Sequence, residues 1–288
     1  MADAALQTLE SGKSRHLALK LGRSGMRQYF EAHLAPLRSG DRIQGCVILL
    51  SDETAIRRTE RMRRDFVANV SHELRTPLSA IHGYAETLLE GALDEKDLAW
   101  DFVNVIFRHS QRLSQLVTDL LDLSKLESPD FQPELTPTAL NAMIQRVYSL
   151  AESNTQGKRL TFRLKVADPL GDALANVGGL EQVLTNLLDN AIKYTPEGGV
   201  ITLTAQENAK GMIQISVSDT GIGIEPKHIP RLFERFYRVD KARSRDMGGT
   251  GLGLSIVKHI ISYHGGDIWV ESVANQGSTF HFTLRKAS

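Results

Sequence analysis

Apolar side chains fall at Val67, Val70, Leu74, Leu78, Ile81, Ala85 and Leu88. Steps of three and four place them on one side of an α-helix. After the turn-like stretch EGALDEKD a second stripe runs through Phe102, Ile106, Leu113, Leu116, Leu120 and Leu123. Two amphipathic helices joined this closely predict a helical hairpin. A single hairpin leaves its seam half uncovered. Pairing two hairpins into a four-helix bundle would cover it, so a homodimer is the physical expectation. Pro77 lies inside the first stripe, where it is expected to kink the helix and free backbone carbonyls near His72.

The 288 residues leave room for about one further domain. Formal charge is zero, which does not suggest a large nucleic-acid footprint. A single cysteine, Cys46, excludes an intramolecular disulfide and a thiolate zinc site. Its setting, QGCVILLSD, predicts a buried strand residue. No apolar run approaches the roughly 20 residues that span a bilayer, and the N-terminus lacks the apolar core of a signal peptide. The expectation is a cytoplasmic chain, placed at the plasma membrane if an anchoring segment lies upstream.

Within residues 1–51, SRHLALKLG, MRQYFEAHLAPL and IQGCVILLSD predict short antiparallel strands, with too little covered surface to stand alone. Residues 52–64 turn helical and basic, with five arginines between Arg57 and Arg64. Acidic lipid headgroups would suit them. The plainer and favoured reading is a solvated helix face with Glu60 nearby for pairing. Beyond ESPDFQPELTPT the character changes. Helices are predicted at Leu140–Glu152, Leu180–Tyr194 and Leu252–His264, and strands at RLTFRLKV, VITLTAQE, MIQISVSD, DIWVES and STFHFTL. The order implies helices on one face of a mixed sheet.

Three stretches of this second region carry chemistry. In TNLLDNAIKYT, Asn186 and Asn190 share a helix face, with Lys193 and Tyr194 on the next turn. Amide oxygens suit a partly hydrated Mg²⁺ shared with phosphate oxygens, although such Asn pairs are more often surface hydrogen-bonders. In VSDTGIGI, Asp219 ends an apolar strand and Gly221 and Gly223 follow it. A carboxylate there can accept from an exocyclic amine while glycines admit a flat ring; a plain Asp–Gly turn is the alternative. In GGTGLGLSIVKHI, Gly248, Gly249, Gly251 and Gly253 open into a helix, whose N-terminus favours phosphate. The stretch is neither a Walker loop nor a Rossmann turn. The segment from Gly223 to Gly249 exceeds ordinary loop length and reads as a lid, with Phe233 and Phe236 pinning it and Arg238 able to reach a terminal phosphate. A surface helix with two buried Phe is the other reading, kept for Arg231 and Arg235.

The segment FVANVSHELRTPLSAI resembles the H box of the sensor histidine kinases of two-component signalling. NLLDNAIKYT resembles their N box, DTGIGI the first glycine box, LFERFYR the F box and GTGLGLSIVK the second glycine box, in the same order. The resemblance covers about residues 52–288. Residues 1–51 resemble the end of a PAS sensor domain, and RMRRDFVANVSHELRTPL is similar to sensors of the phosphate-regulon type.

The resemblance implies a multidomain α+β protein: a PAS-like β segment at 1–51, a signal-transmitting helix at 52–64, a dimerisation and histidine phosphotransfer domain at 65–130, and an α/β sandwich of the GHKL ATPase type at 131–288. It implies ATP-dependent autophosphorylation of His72, with Glu73 taking or orienting the ring proton and Arg75 screening phosphoryl charge. Thr76, at i+4, would orient water for dephosphorylating the partner. Asn186 and Asn190 would hold Mg²⁺, Asn190 foremost, and Lys193 and Arg238 would contact phosphates. Tyr194 would pack on adenine and Asp219 would accept from its amino group, while Gly221, Gly223, Gly251, Leu252 and Gly253 would shape the walls and lid. The implied partners are a second copy and the receiver domain of a response regulator, of the winged-helix DNA-binding kind, with no direct nucleic-acid contact by this chain. A GHKL-type ATPase without kinase activity and an inactive signalling scaffold are the competing readings. The chain departs from the family at LANVGGLEQV, where Gly178 and Gly179 are poor helix starters and Asn176 is the available cap.

Overall fold

A computed structural model describes residues 1–22, 28–40, 42–128, 130–155, 157–240 and 249–287. Contacts divide the chain into Met1–His72 and Glu73–Ser288. In the first unit, helix α1 (Ala2–Ser11) precedes an antiparallel sheet of β1 (Arg15–Leu21), β2 (Gln28–Ser39) and β3 (Arg42–Asp52), in that order. Alternate residues of β2, Ala32 and Leu34, are buried where α1 packs. β3 is an edge strand whose Val47, Ile48, Leu49 and Leu50 are all exposed. Cys46 sits in β3 as expected but is only half-buried, and the Val47–Leu50 stretch that follows it is exposed.

Helix α2 (Thr54–Leu89) crosses from the first unit into the second without a break, and its helical assignment continues through Pro77. The expected division at 64/65 therefore falls inside one helix. Of the five arginines between Arg57 and Arg64, two pair at i,i+4, Arg57 with Glu53 (3.5 Å) and Arg61 with Asp65 (3.7 Å). A 3₁₀ turn at Ala92–Asp94 leads into α3 (Lys96–Leu126), and Tyr84 meets Phe102 across the hairpin at 5.1 Å. Leu116, Asp119 and Leu123 are the buried residues of α3. At i, i+3 and i+7 they form one face, so the second stripe does more than line a seam.

The larger domain begins with β4 (Thr136–Thr138), α4 (Leu140–Ser153), β5 (Thr161–Val166) and β6 (Ala173–Ala175). There follow α5 (Val177–Tyr194), β7 (Val200–Glu207), β8 (Ile213–Asp219), α6 (Gly253–Tyr263), β9 (Ile268–Val273) and β10 (Gly277–Leu284). The main sheet runs β5-β7-β8-β10-β9, with β5 parallel to β7 and the rest antiparallel. Register aligns Leu203, Val217 and Phe280 in one row and Ala205, Ile215 and Phe282 in the next. These rows face the buried stripe of α5 (Leu180, Leu184, Leu187, Leu188) and of α6 (Ile256, Val257, Ile260). The start of α5 resolves the family departure. The helix begins at Val177, and the Asn176 side chain accepts from the Gly179 N–H at 2.9 Å. That bond satisfies one of the orphan donors that two glycines would otherwise leave weakly held.

Candidate functional site

Helix α5 presents Asn186, Asn190 and Lys193 along one edge, each half-buried. The Asn186 amide donates to the Gln182 carbonyl at 3.0 Å, which leaves its Oδ1 turned toward the start of α6. There Gly253 is required: a Cβ at that position would lie 2.5 Å from Asn186 Oδ1. Just before it, Gly251 takes φ +77, and its carbonyl accepts from Phe236 N–H at 2.8 Å. The glycine loop and the phenylalanine segment are thereby stitched together, and Leu252 is fully buried beneath them. Phe233 and Phe236 are both half-buried. Residues 241–248, and Gly248 with them, lie outside the described residues.

Asp219 ends β8 between Ile201 and Ser278. It is 9% exposed and accepts from the Gly221 N–H at 2.8 Å. Burial pushes its carboxyl above the usual range, and hydrogen bonds from the Gly221 and Ser278 backbone partly oppose that shift. Gly221 passes close to both Asp219 and the Tyr194 carbonyl, and Gly223 takes φ +64 beside Val273. The Tyr194 ring lies 5.3 Å from Lys193 Nζ and is half-buried on the same helix end.

Lys193 carries the largest electrostatic signal. Its ammonium is pushed down to about 8, chiefly by burial and then by the positive charges of Arg238 and Arg112. Three cations gathered in a poorly solvated place are costly until an anion joins them. Part of that anion is Glu73. Its Oε2 accepts from Arg112 at 2.9 Å and from Arg238 at 3.3 Å, and all three side chains are at least 85% buried. Arg238 also donates to the Gly249 carbonyl.

Motif reading missed the hairpin's share in this site. Asp119 on α3 accepts from the Thr250 hydroxyl at 2.5 Å and from Gln115 at 2.7 Å, and burial raises its carboxyl. Asp122 accepts from Gln182 at 2.6 Å, and Glu127 meets both Arg235 and His259. The available signal was an acid, Asp119, among buried leucines at helical spacing. Arg235 and Arg231 have partners of their own: Glu127 for the first, Glu234 and the Tyr237 ring for the second. Of the H-box residues, Glu73 joins this set, Thr76 is half-buried, and His72 and Arg75 are exposed.

A histidine-bearing helical hairpin, followed by a layered domain with an amide pair, a buried acid and glycine loops, defines a phospho-acceptor module joined to a nucleotide-binding one. Residues 62–129 match the His Kinase A (phospho-acceptor) domain, and residues 175–288 match the histidine kinase-, DNA gyrase B- and HSP90-like ATPase family. The chain belongs to the sensor histidine kinases. It is 41% identical over 248 residues to the sensor histidine kinase WalK of Bacillus subtilis, covering 86% of this chain and 40% of that one. It is 42% identical over 238 residues to the phosphate regulon sensor protein PhoR of Pseudomonas aeruginosa, covering 82% of this chain and 53% of that one. The chain thus spans about half the length, or less, of these curated relatives. Among solved structures it is similar to the histidine kinase ThkA in complex with the response regulator protein TrrA (TM-score 0.64, 26% identity, 99% of this chain and 83% of that one). No helix among the described residues is long and apolar enough to cross a membrane.

Proposed function

We propose that this chain is the kinase portion of a two-component sensor, which phosphorylates itself on His72 and passes the phosphoryl group to an aspartate of a response regulator. The observation that carries the reading is the buried cationic cluster of Lys193, Arg238 and Arg112 beside the Asn186–Asn190 edge, a setting suited to a polyphosphate. ATP is the substrate, with Asp219 accepting from the adenine amino group and Tyr194 against the ring. The amide oxygens of Asn190 and Asn186 would suit a hard cation that keeps several waters, so Mg²⁺ would be the metal they hold, supplying charge neutralisation for the phosphates.

In the proposed step a neutral imidazole nitrogen of His72 attacks the γ-phosphorus. A P–N bond forms, the P–O bond to the β-phosphate breaks, ADP leaves, and the ring proton passes to Glu73. Arg75 screens the arriving charge. The Oε2 atom of Glu73 is engaged by Arg112 and Arg238, so those bonds must loosen before it takes the proton. Entry of the phosphates gives Arg238 another anion and releases Glu73. Phosphotransfer to a regulator is supported by the likeness to ThkA, solved with TrrA. From the resemblance alone we add a winged-helix class of regulator, a cytoplasmic setting, and a phosphatase step in which Thr76 orients water. A homodimer is supported by the exposure of Leu78 (58%), Phe107 (59%) and Leu121 (66%) on the hairpin. The domain limits 1–51, 52–64, 65–130 and 131–288 remain our proposed division.

The test is incubation of the chain with γ-labelled ATP and Mg²⁺ beside His72→Gln. Acid-labile, alkali-stable label on the parent and none on the variant is the expected result. Equal label on both would assign the acceptor elsewhere and sink the reading. Thr76→Ala should keep autophosphorylation and lose dephosphorylation of the regulator; equal loss of both removes the role given to Thr76.

A further inference from the structure

The N-terminal sheet holds a side-chain cluster with no part in phosphoryl chemistry. β1 and β2 pair with His16 opposite His33 and Ala18 opposite Glu31. Side chains alternate across a strand, so His16, Glu31 and His33 share one face while Ala32 and Leu34, 0% and 1% exposed, fill the other. The two imidazole rings lie 4.3 Å apart between centroids, edge to face at 77°. Nε2 of His33 is 3.8 Å from Oε2 of Glu31. One nitrogen or oxygen from each of the three residues lies within 4.8 Å of the other two.

That spacing is nearly a coordination sphere. Around a tetrahedral zinc with bonds of 2.0–2.2 Å, ligand atoms are separated by about 3.3 Å. Side-chain rotation of the exposed His16 and the half-buried Glu31 and His33 would have to close the difference. The backbone is already set, because directly opposed residues hold their Cβ atoms about 5 Å apart. Leu49 and Ser51 of β3 stand beside His33 and Glu31, and neither competes as a charge. Lys20, on the same face, directs its ammonium over the Tyr29 ring at 5.9 Å. Two imidazoles and one carboxylate form a borderline donor set that suits zinc-like ions and not Mg²⁺ or Ca²⁺, which prefer oxygen alone.

We propose that His16, Glu31 and His33 bind a divalent transition-metal ion of the zinc type, with water in the fourth position. An ion there would fix β1 to β2 next to the attachment of α2. Tyr29, two residues from Glu31, donates its N–H to Thr54 Oγ1 at 2.9 Å and accepts from the Glu53 N–H at 2.8 Å. A signalling consequence through α2 rests on the kinase reading; metal binding does not.

The test uses the whole chain stripped of metal, titrated with Co²⁺ and followed by visible d–d absorption, then with Zn²⁺ in competition. His33→Ala, His16→Asn and Glu31→Gln are run in parallel, with far-UV circular dichroism of each metal-free variant as the folding control. The parent should take up one ion in a saturable manner with a four-coordinate cobalt spectrum, displaced by Zn²⁺ and not by Mg²⁺. His33→Ala should weaken uptake by about 100-fold or more, since loss of even an outer-shell partner costs 10- to 100-fold. If one histidine variant fails to fold, the other and Glu31→Gln decide the matter. Absence of saturable uptake by the parent, or uptake unchanged in folded variants, overturns the proposal. No ATP is present, so this outcome is independent of whether His72 is phosphorylated.

Discussion

The two main sheets of this chain are built from similar strands and end in different states. β8 alternates buried and half-buried residues along its whole length, whereas β3 carries exposed Val47, Ile48, Leu49 and Leu50 in succession. Strand propensity does not separate them. Cover does: among the described residues α4, α5 and α6 pack on the five-stranded sheet, whereas α1 is the main helix packed on the three-stranded one. A covered sheet fixes its side chains and so can hold a site to within fractions of an ångström. The three-stranded sheet, with one face less covered, leaves His16 exposed and His33 half-buried.

Core truncation should separate the two most. Leu187 is 1% exposed and Leu49 is 64% exposed. Leu187→Ala should destabilise the larger domain by about 2–5 kcal/mol, and Leu49→Ala should stay within about 0.5 kcal/mol. Hydrogen exchange resolved by peptide reads each sheet separately. Equal losses of protection in both would mean that β3 is covered in solution and the comparison is wrong.

How far the sequence carried the fold follows the same division. The stripes of α2 and α3 were readable from the spacing of their apolar positions, even though Val67 and Leu78 of the first are exposed. The site motifs were readable because Asn186, Asp219 and the glycines each answer a local demand of backbone or ligand. The contributions of Asp119, Asp122 and Glu127 were not. They depend on which face of α3 meets α6 and the glycine loop, and a stripe of leucines does not report its partner. Cys46 misled because apolar neighbours imply burial only where something packs against them.

The site's electrostatics provide the next test. With Lys193 pushed down to about 8, its ammonium is half deprotonated in the free chain near that pH and mostly neutral above it. A bound polyphosphate favours the charged form, so nucleotide affinity should fall as pH rises through 8, by up to about tenfold per unit. Fluorescent-nucleotide titrations of the parent and Lys193→Gln should diverge below pH 8 and converge above it. Parallel profiles would remove Lys193 from the phosphate site.

The helix start at Asn176 tests how locally the covered domain is held. Asn176→Ala removes the side-chain acceptor for Gly179 and should cost about 1 kcal/mol, within the range of 0.5–2. Because Gly178 and Gly179 have the weakest intrinsic hold on the helix, exchange should quicken first at the N-terminal turn of α5. A loss spread evenly over the domain would show that packing against α4 and α6, rather than the cap, sets that end.

The same corner also carries a pH-dependent effect. His264 is 1% exposed, accepts the Asn176 N–H on Nε2 at 2.9 Å and donates from Nδ1 to the Ile260 carbonyl at 2.7 Å. Burial holds its imidazole below the usual value, with the Nδ1 bond to the Ile260 carbonyl opposing that shift. With the folded pKa depressed, the unfolded chain binds the extra proton first as pH falls. Stability is therefore fully present above the unfolded value near 6.5 and declines below it, by at most about 1.4 kcal/mol per pH unit, until the folded value is passed. Hydrogen exchange at pH 7 and pH 5.5 should show this loss in α5 and α6, and His264→Gln should flatten it. If the acid loss appears in the N-terminal sheet instead, or survives the substitution, the buried histidine is not its source.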